Sequence, residues 1–536
     1  MKKIQILCIF MFTALFFTCA GYYDAAGSSD GWYGGYPNGA APGDYPQYED
    51  GEEIEEFDPN NFDRIVENPF RHTGDYPIST FSIDVDTASY SIMRSSLNGN
   101  RMPYASSIRI EELVNYFDYD YAPPDSNDDK PFAVHTEVAP APWNPDHYLA
   151  RIAIKGKEFP VNERPRANLV FLIDVSGSME MQNRLPLVIS SLKMLVEELN
   201  GTDRVAICVY AGAAGTVLPP TNCDEKEKII SALKKLRAGG STAGGAGIQL
   251  AYSLARQNFD PQAINRVIIC TDGDFNVGIT SQNGLIDLIT EEAASGVYLT
   301  ILGFGINNFK DGTMKQLSIH GNGNYGYIDT IEEARKILVN QLSGTLITIA
   351  NDVKIQVEFN PVNVGAYRLI GYENRIMADE DFNNDKKNAG DIGAGHTVTA
   401  FYQIIPPGEE ADALPRRDPL KYTPSQETGE SLFSGELMTV KIRYKQPSES
   451  ISNLISFPVE TSSILQAGNE SQEFRFASSV AGFGLLLRNS QYKGNANYHG
   501  IIDMARNAKG EDKWGLRGEF IGLVEIAGRL DMAESK

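Results

Sequence analysis

The chain has 536 residues, too many for one compact core, so about two to four domains are expected. Its 42% hydrophobic and 10% aromatic content is that of ordinary globular protein. With 70 acidic and 47 basic residues the net charge is −23, which argues against a nucleic-acid partner held by clustered Lys and Arg and suits a protein that holds a cation.

Lys2 and Lys3 precede an apolar run from Ile4 to Phe17, the layout of an export signal and too short to span a bilayer comfortably. Cys19 follows, then small and polar residues. Residues 1–19 resemble a bacterial lipoprotein signal, whose cysteine is lipidated and becomes the mature N-terminus. Phe16 and Thr18 depart from the Leu and the small residue such signals favour, and plain secretion with cleavage nearby is the alternative. The resemblance implies a lipid anchor at Cys19 and a place in the cell envelope, on the outer membrane of a Gram-negative bacterium. No later segment is apolar and long enough to span a bilayer.

Residues 20–76 are rich in Gly, Tyr, Pro and acidic residues and read as a flexible tether, with ordered sequence beginning near Pro77. In the flanking region 77–164, Phe81 to Val85 reads as a strand and Ile108 to Phe117 as a helix. Phe132 to Val138 and Tyr148 to Ile154 alternate as strands around a turn-like stretch, residues 139–147.

Between 165 and 345 the pattern changes. Apolar strands at Leu169 to Ile173, Val205 to Tyr210, Val267 to Cys270 and Val297 to Phe304 are separated by helical stretches. Those helices run over Arg184 to Leu199, Glu225 to Leu236, Gly247 to Phe259 and Leu285 to Ala294. A last helix starts at Thr330, with Glu333 at capping-box spacing. Continuous apolar strands alternating with helices predict an α/β fold: a doubly wound, mostly parallel sheet covered on both faces. In the region 346–536 the period returns to two at Val353 to Phe359, Val398 to Ile404 and Val440 to Tyr444, then a helical tail runs from Glu473 to Leu530. The like character of the two flanks predicts one β-rich domain split by the α/β block, with strands near 132–154 pairing with strands from 350–445.

The first central strand runs into Asp174-Val175-Ser176-Gly177-Ser178. In a doubly wound sheet, ligands collect at the carboxyl ends of strands. Gly177 lets the backbone turn so that both hydroxyls can aim at one point. Val267 to Cys270 leads into Thr271-Asp272, and Thr242 precedes the third helix. Asp174, Ser176, Ser178, Thr242 and Asp272 are all hard oxygen donors. They suit Mg2+, or Mn2+ or Ca2+ in its place, and not Zn2+. Two carboxylates and neutral hydroxyls leave a dication electrophilic, with a position open to water or an incoming carboxylate.

This constellation resembles the metal-ion-dependent adhesion site of von Willebrand factor type A domains. The stretches FSIDVDTASYS and DVKIQVEFNPVNVGAYRLIGYENR resemble the flanks of bacterial A-domain lipoproteins. The resemblance implies Ser176, Ser178 and Thr242 as direct ligands, Asp174 and Asp272 as charge-balancing ones, and a partner's Asp or Glu completing the shell. It also places the Asp174 strand between those bearing Cys208 and Cys270, too far apart for a disulfide, so Cys208, Cys223 and Cys270 are expected as free thiols.

Asp84 to Ser89 imitates a metal loop but lacks the glycine turn, and a strand-to-helix cap is expected there. Gly244 to Gly247 lacks the lysine of a phosphate-binding loop, and the six histidines show no metal spacing. The expected function is metal-dependent protein binding at the cell envelope, without catalysis. The alternatives are an envelope assembly or chaperone-like factor and, less favoured, a metal-dependent hydrolase.

Overall fold

The strand Ala167–Asp174 is buried at every position and lies at the middle of a six-stranded sheet. The spatial order is Tyr325–Ile328, Tyr298–Phe304, Ile264–Thr271, Ala167–Asp174, Arg204–Tyr210, Ala214–Asn222, all parallel except the last, antiparallel edge strand. The computed structural model describes residues 64–83, 86–125, 129–159, 164–240, 244–273, 282–305, 311–387, 389–409, 435–447 and 449–534.

Alternate residues of the central strand serve two cores, which is why it reads as continuously apolar. Leu169, Phe171 and Ile173 pack with Val188, Leu192 and Leu195 of the helix Leu185–Glu198 on one face. Val170 and Leu172 pack with Ile248, Tyr252 and Ala255 of the helix Gly244–Gln257 on the other. Gly247 permits that close approach: a Cβ there would lie 2.8 Å from the Cβ of Tyr210. The doubly wound parallel sheet expected from the sequence is therefore present. Cys270 and Cys208 lie on the strands flanking Asp174, and all three described cysteines are free and buried.

The two flanks build one β-sandwich. Its first sheet runs Arg71–His72, Ala366–Ile370, Thr397–Ile405, Asn144–Gly156, Phe132–Ala141, all antiparallel. The second runs Gly390–Gly393, Thr348–Phe359, Glu436–Lys445, Asn453–Glu460, with Ile78–Ser82 also paired to Thr348–Phe359. Val138, Ile152, Ile154, Val398 and Tyr402 face Ile355, Val357, Val440 and Ile442 across a shared core. Val398 opposite Ile154 and Tyr402 opposite Ala150 are the cross-flank pairing expected of a domain split in sequence.

Three helices, Gln472–Leu487, Tyr498–Asn507 and Leu516–Glu534, cover the outer face of the first sheet. Among the described residues no helix is long and apolar enough to cross a membrane. Phe401 turns outward onto Phe474 at a ring distance of 5.9 Å.

Several expectations need correcting. Ordered structure begins before Pro77, since Arg71 and His72 pair with Tyr367 and Ala366. The first predicted strand is Ile78–Ser82; Asp84 and Val85 lie outside the described residues. Thr397–Ile405 is buried on both faces, not one, because the helical layer covers it. The turn at 139–147 shrinks to Pro142 and Trp143, and Pro140 is tolerated because its strand is at the sheet edge. The helix capped by Thr330 is short, Ile331–Arg335, and continues as a π-helical turn, Lys336–Asn340. Its cap is one-sided: the Thr330 hydroxyl accepts from Glu333 N at 3.1 Å, while the Glu333 carboxylate serves Arg94 and Tyr116.

Candidate metal centre

The central strand delivers Asp174 fully buried at its carboxyl end. The turn after it is closed by backbone bonds, Val175 N to Tyr210 O at 3.0 Å and Met179 N to Ser176 O at 3.1 Å. Ser176 N donates to Asp174 Oδ1 at 2.8 Å, and the Ser176 and Ser178 hydroxyls come within 3.0 Å of each other. Asp174 Oδ2 is buried and makes no hydrogen bond of good geometry. The adjacent strand, aligned with Cys270 opposite Ile173, ends at Thr271 and places the buried Asp272 beside the same loop. Burial pushes the Asp174 carboxyl up to about 6; the Ser176 N–H and the Ser176 and Tyr210 hydroxyls oppose the shift, and the charge of Asp272 adds to it.

Asp174, Ser176, Ser178 and Asp272 thus lie around one strand end, with Ser178 exposed and the carboxylates beneath it. Thr242 lies outside the described residues. The backbone leading toward it is tied to the same turn: Gly239 N donates to Val175 O at 2.7 Å, and Gly177 N donates to Gly240 O at 3.1 Å. The described donors are carboxylate and hydroxyl oxygens, and among the described residues no group of three His, Cys, Asp or Glu is poised to hold a metal. Hard oxygen donors around a buried carboxylate fit a hard dication.

One residue at this site is not indicated by the motif. Arg184, itself buried, donates through one guanidinium nitrogen to Asp272 Oδ2 at 2.6 Å and to Ser178 O at 2.8 Å. The available signal was an arginine at the start of a helix, the wrong charge for that end of the macrodipole.

The Asp84 to Ser89 segment serves structure where it is described. Asp86 Oδ1 accepts from Tyr325 N at 3.0 Å, and Lys315 and Arg375 lie within 4 Å of its other oxygen. Thr87 stands before the helix Ala88–Asn98 but makes no side-chain cap, correcting that expectation; Glu112 instead accepts from Ser89 N at 2.9 Å.

Residues 168–340 match the family described as von Willebrand factor type A domain, and residues 56–151 one described as von Willebrand factor. Residues 344–530 match the C-terminal region of uncharacterized protein YfbK. Uncharacterized protein YfbK of Escherichia coli K12 is 42% identical over 471 residues, covering 87% of this chain and 80% of that protein. The chain is a von Willebrand factor type A domain protein of the YfbK family. Uncharacterized protein sll0103 of Synechocystis is 27% identical over 186 residues, 34% of this chain and 43% of its own. Inter-alpha-trypsin inhibitor heavy chain H3 of Homo sapiens is 25% identical over 274 residues, 47% of this chain and 30% of its own. A solved structure, von Willebrand factor type A from Catenulispora acidiphila, aligns at a TM-score of 0.39 and 14% identity over 74% of this chain and 91% of that one. The family match at 168–340 contains Asp174, Ser176, Ser178, Arg184 and Asp272, while most of the sandwich falls in the two flanking matches.

Proposed function

We propose that the A domain is a divalent-cation-dependent protein-binding module. Asp174, Ser176, Ser178 and Asp272, with Thr242, would hold Mg2+, or Mn2+ or Ca2+ in its place. Bound there, the ion supplies an electrophilic position for an Asp or Glu of a protein partner. The observation that carries this reading is the fully buried Asp174 carboxylate beside a second buried carboxylate and two converging serine hydroxyls at one strand end. In a protein interior such an arrangement costs stability unless positive charge compensates it.

Binding without catalysis fits the surroundings. The guanidinium paired with Asp272 cannot accept a proton, so it would not serve as a general base for hydrolysis. A lipid on Cys19, with residues 20 to about 63 as spacer, would hold the module at the cell envelope, where its partner would be met.

The test is capture of envelope proteins on the immobilised full chain in Mg2+, in EDTA, and with Asp174→Ala. The expected outcome is a set of partners lost in both EDTA and the variant, while circular dichroism stays that of wild type. Partners retained equally in all three would refute the metal-dependent reading.

A further inference from the structure

We propose that Arg184 is a resident counter-ion of this site that competes with the metal for Asp272 and so holds its cation affinity down. The proposal rests on the metal-binding reading above and names a positioning residue within it.

The geometry assigns the guanidinium to the site, not to the helix that Arg184 begins. Its nitrogen spans Asp272 Oδ2 and Ser178 O, thereby tying the carboxylate of one proposed ligand to the backbone of another. The ion pair is dry, with side-chain exposures of 7% and 4%. Arg184 precedes Leu185–Glu198, where a cation opposes the helix dipole, so local helix stability does not favour it there. The arginine stem also has a built resting place: Gly305 has φ +77°, and a Cβ at that position would collide with Arg184 Cγ and Nε. Among the described residues the buried Nε has no hydrogen-bond partner, so the polar contacts of the side chain are those to the site.

Charge bookkeeping gives the consequence. Asp174 and Asp272 with Arg184 sum to −1; without Arg184 they sum to −2. A dication entering the site therefore meets weaker attraction and a like charge beside Asp272, both acting through a low-dielectric interior. The loaded site then carries +1 where it would otherwise be neutral, which favours an anionic partner group. Arg184 thus exchanges cation affinity for partner attraction.

The experiment is Mn2+ binding to the full chain, followed by electron paramagnetic resonance of the free ion, for wild type, Arg184→Gln, Arg184→Met, Arg184→Lys and Asp174→Ala. Thermal unfolding in EDTA checks that each variant is folded; Arg184→Gln keeps a donor toward Asp272 and covers the case in which Arg184→Met does not fold. The neutral variants are expected to bind Mn2+ at least about tenfold more tightly than wild type, or about 1.4 kcal/mol. Arg184→Lys, which keeps the charge, should stay within about threefold of wild type. Asp174→Ala should not bind. If wild type binds and Arg184→Gln binds no more tightly, the counter-ion proposal is wrong and the metal site stands. If neither wild type nor the neutral variants bind better than Asp174→Ala, the metal-binding reading itself fails and takes this proposal with it.

Discussion

Two buried carboxylates outside the ordinary range show how burial and charge divide roles among residues. Asp174 is raised by burial at the candidate site, where compensation is proposed to come from a cation. Glu111 is raised to about 7 by burial and by the neighbouring Glu373 carboxylate, with Lys315 and Arg488 opposing. The folded value of Glu111 lies above its ordinary 4.5, so its stabilising contribution is full below about 4.5 and is lost as pH rises through about 7. Glu111→Gln should match wild type in urea melts at pH 4.5 and exceed it by about 3 kcal/mol at pH 8. Equal stabilities at pH 8 would show that Glu111 is not strained by its charge. At this scale Asp174 and Asp272 were legible as residues at the ends of apolar strands, and Ser176 and Ser178 as the turn after the first; Thr242 lies outside the described residues. Arg184 was not legible, because its pairing with Asp272 spans 88 residues of sequence and depends on two strands and a helix meeting.

At the scale of elements, hydrophobic period identified strands well and their burial less well. Glu436–Lys445 is half-buried as its alternation suggests, with Val440, Ile442 and Tyr444 inward. Thr397–Ile405 alternates similarly, yet its second face lies under the C-terminal helices, a layer whose position no local pattern encodes. Phe401→Ala should therefore cost about 3–5 kcal/mol in chemical denaturation. Lys441→Ala, which removes only a surface pair with Glu358, should cost under about 1 kcal/mol. A small effect at Phe401 would contradict the two-sided burial. The edge strands Arg71–His72 and Ala214–Asn222 escaped the sequence reading because edge strands carry little apolar signal. The thiols give a second check. Burial raises Cys208, Cys223 and Cys270 well above the usual thiol range, so none should react with a thiol reagent in the native protein. In the mature chain, without Cys8 and with Cys19 lipidated, all three should titrate after denaturation without reductant, and a count of one would mean a disulfide.

For Phe57–Lys536 as a whole, which backbone packing groups as one compact unit, the joint between A domain and flanks is a buried charged cluster. Arg94, on the N-terminal helix Ala88–Asn98, pairs with Asp329 and with Glu333 at 2.7 Å at the end of the A domain. It also pairs with Glu519 of the last helix at 3.2 Å and donates to Tyr116 at 2.7 Å. Arg94→Met would strand Asp329 and Glu333 in the interior and should destabilise the protein by about 3–5 kcal/mol. Adding Glu333→Gln should recover part of that loss, whereas strict additivity would contradict a shared cluster. The sequence suggested that the flanks form one split domain because both carry period-two strands. It could not show this cluster, whose members lie between 22 and 425 residues from Arg94.

Divalent-cation binding by the strand-end oxygens of the A domain can be read by isothermal titration of Mg2+ into the EDTA-stripped full chain. Wild type should bind one equivalent saturably, and Asp174→Ala, folded by circular dichroism, should give only heats of dilution. Saturable binding of equal affinity in both proteins, or none in wild type, would contradict the account.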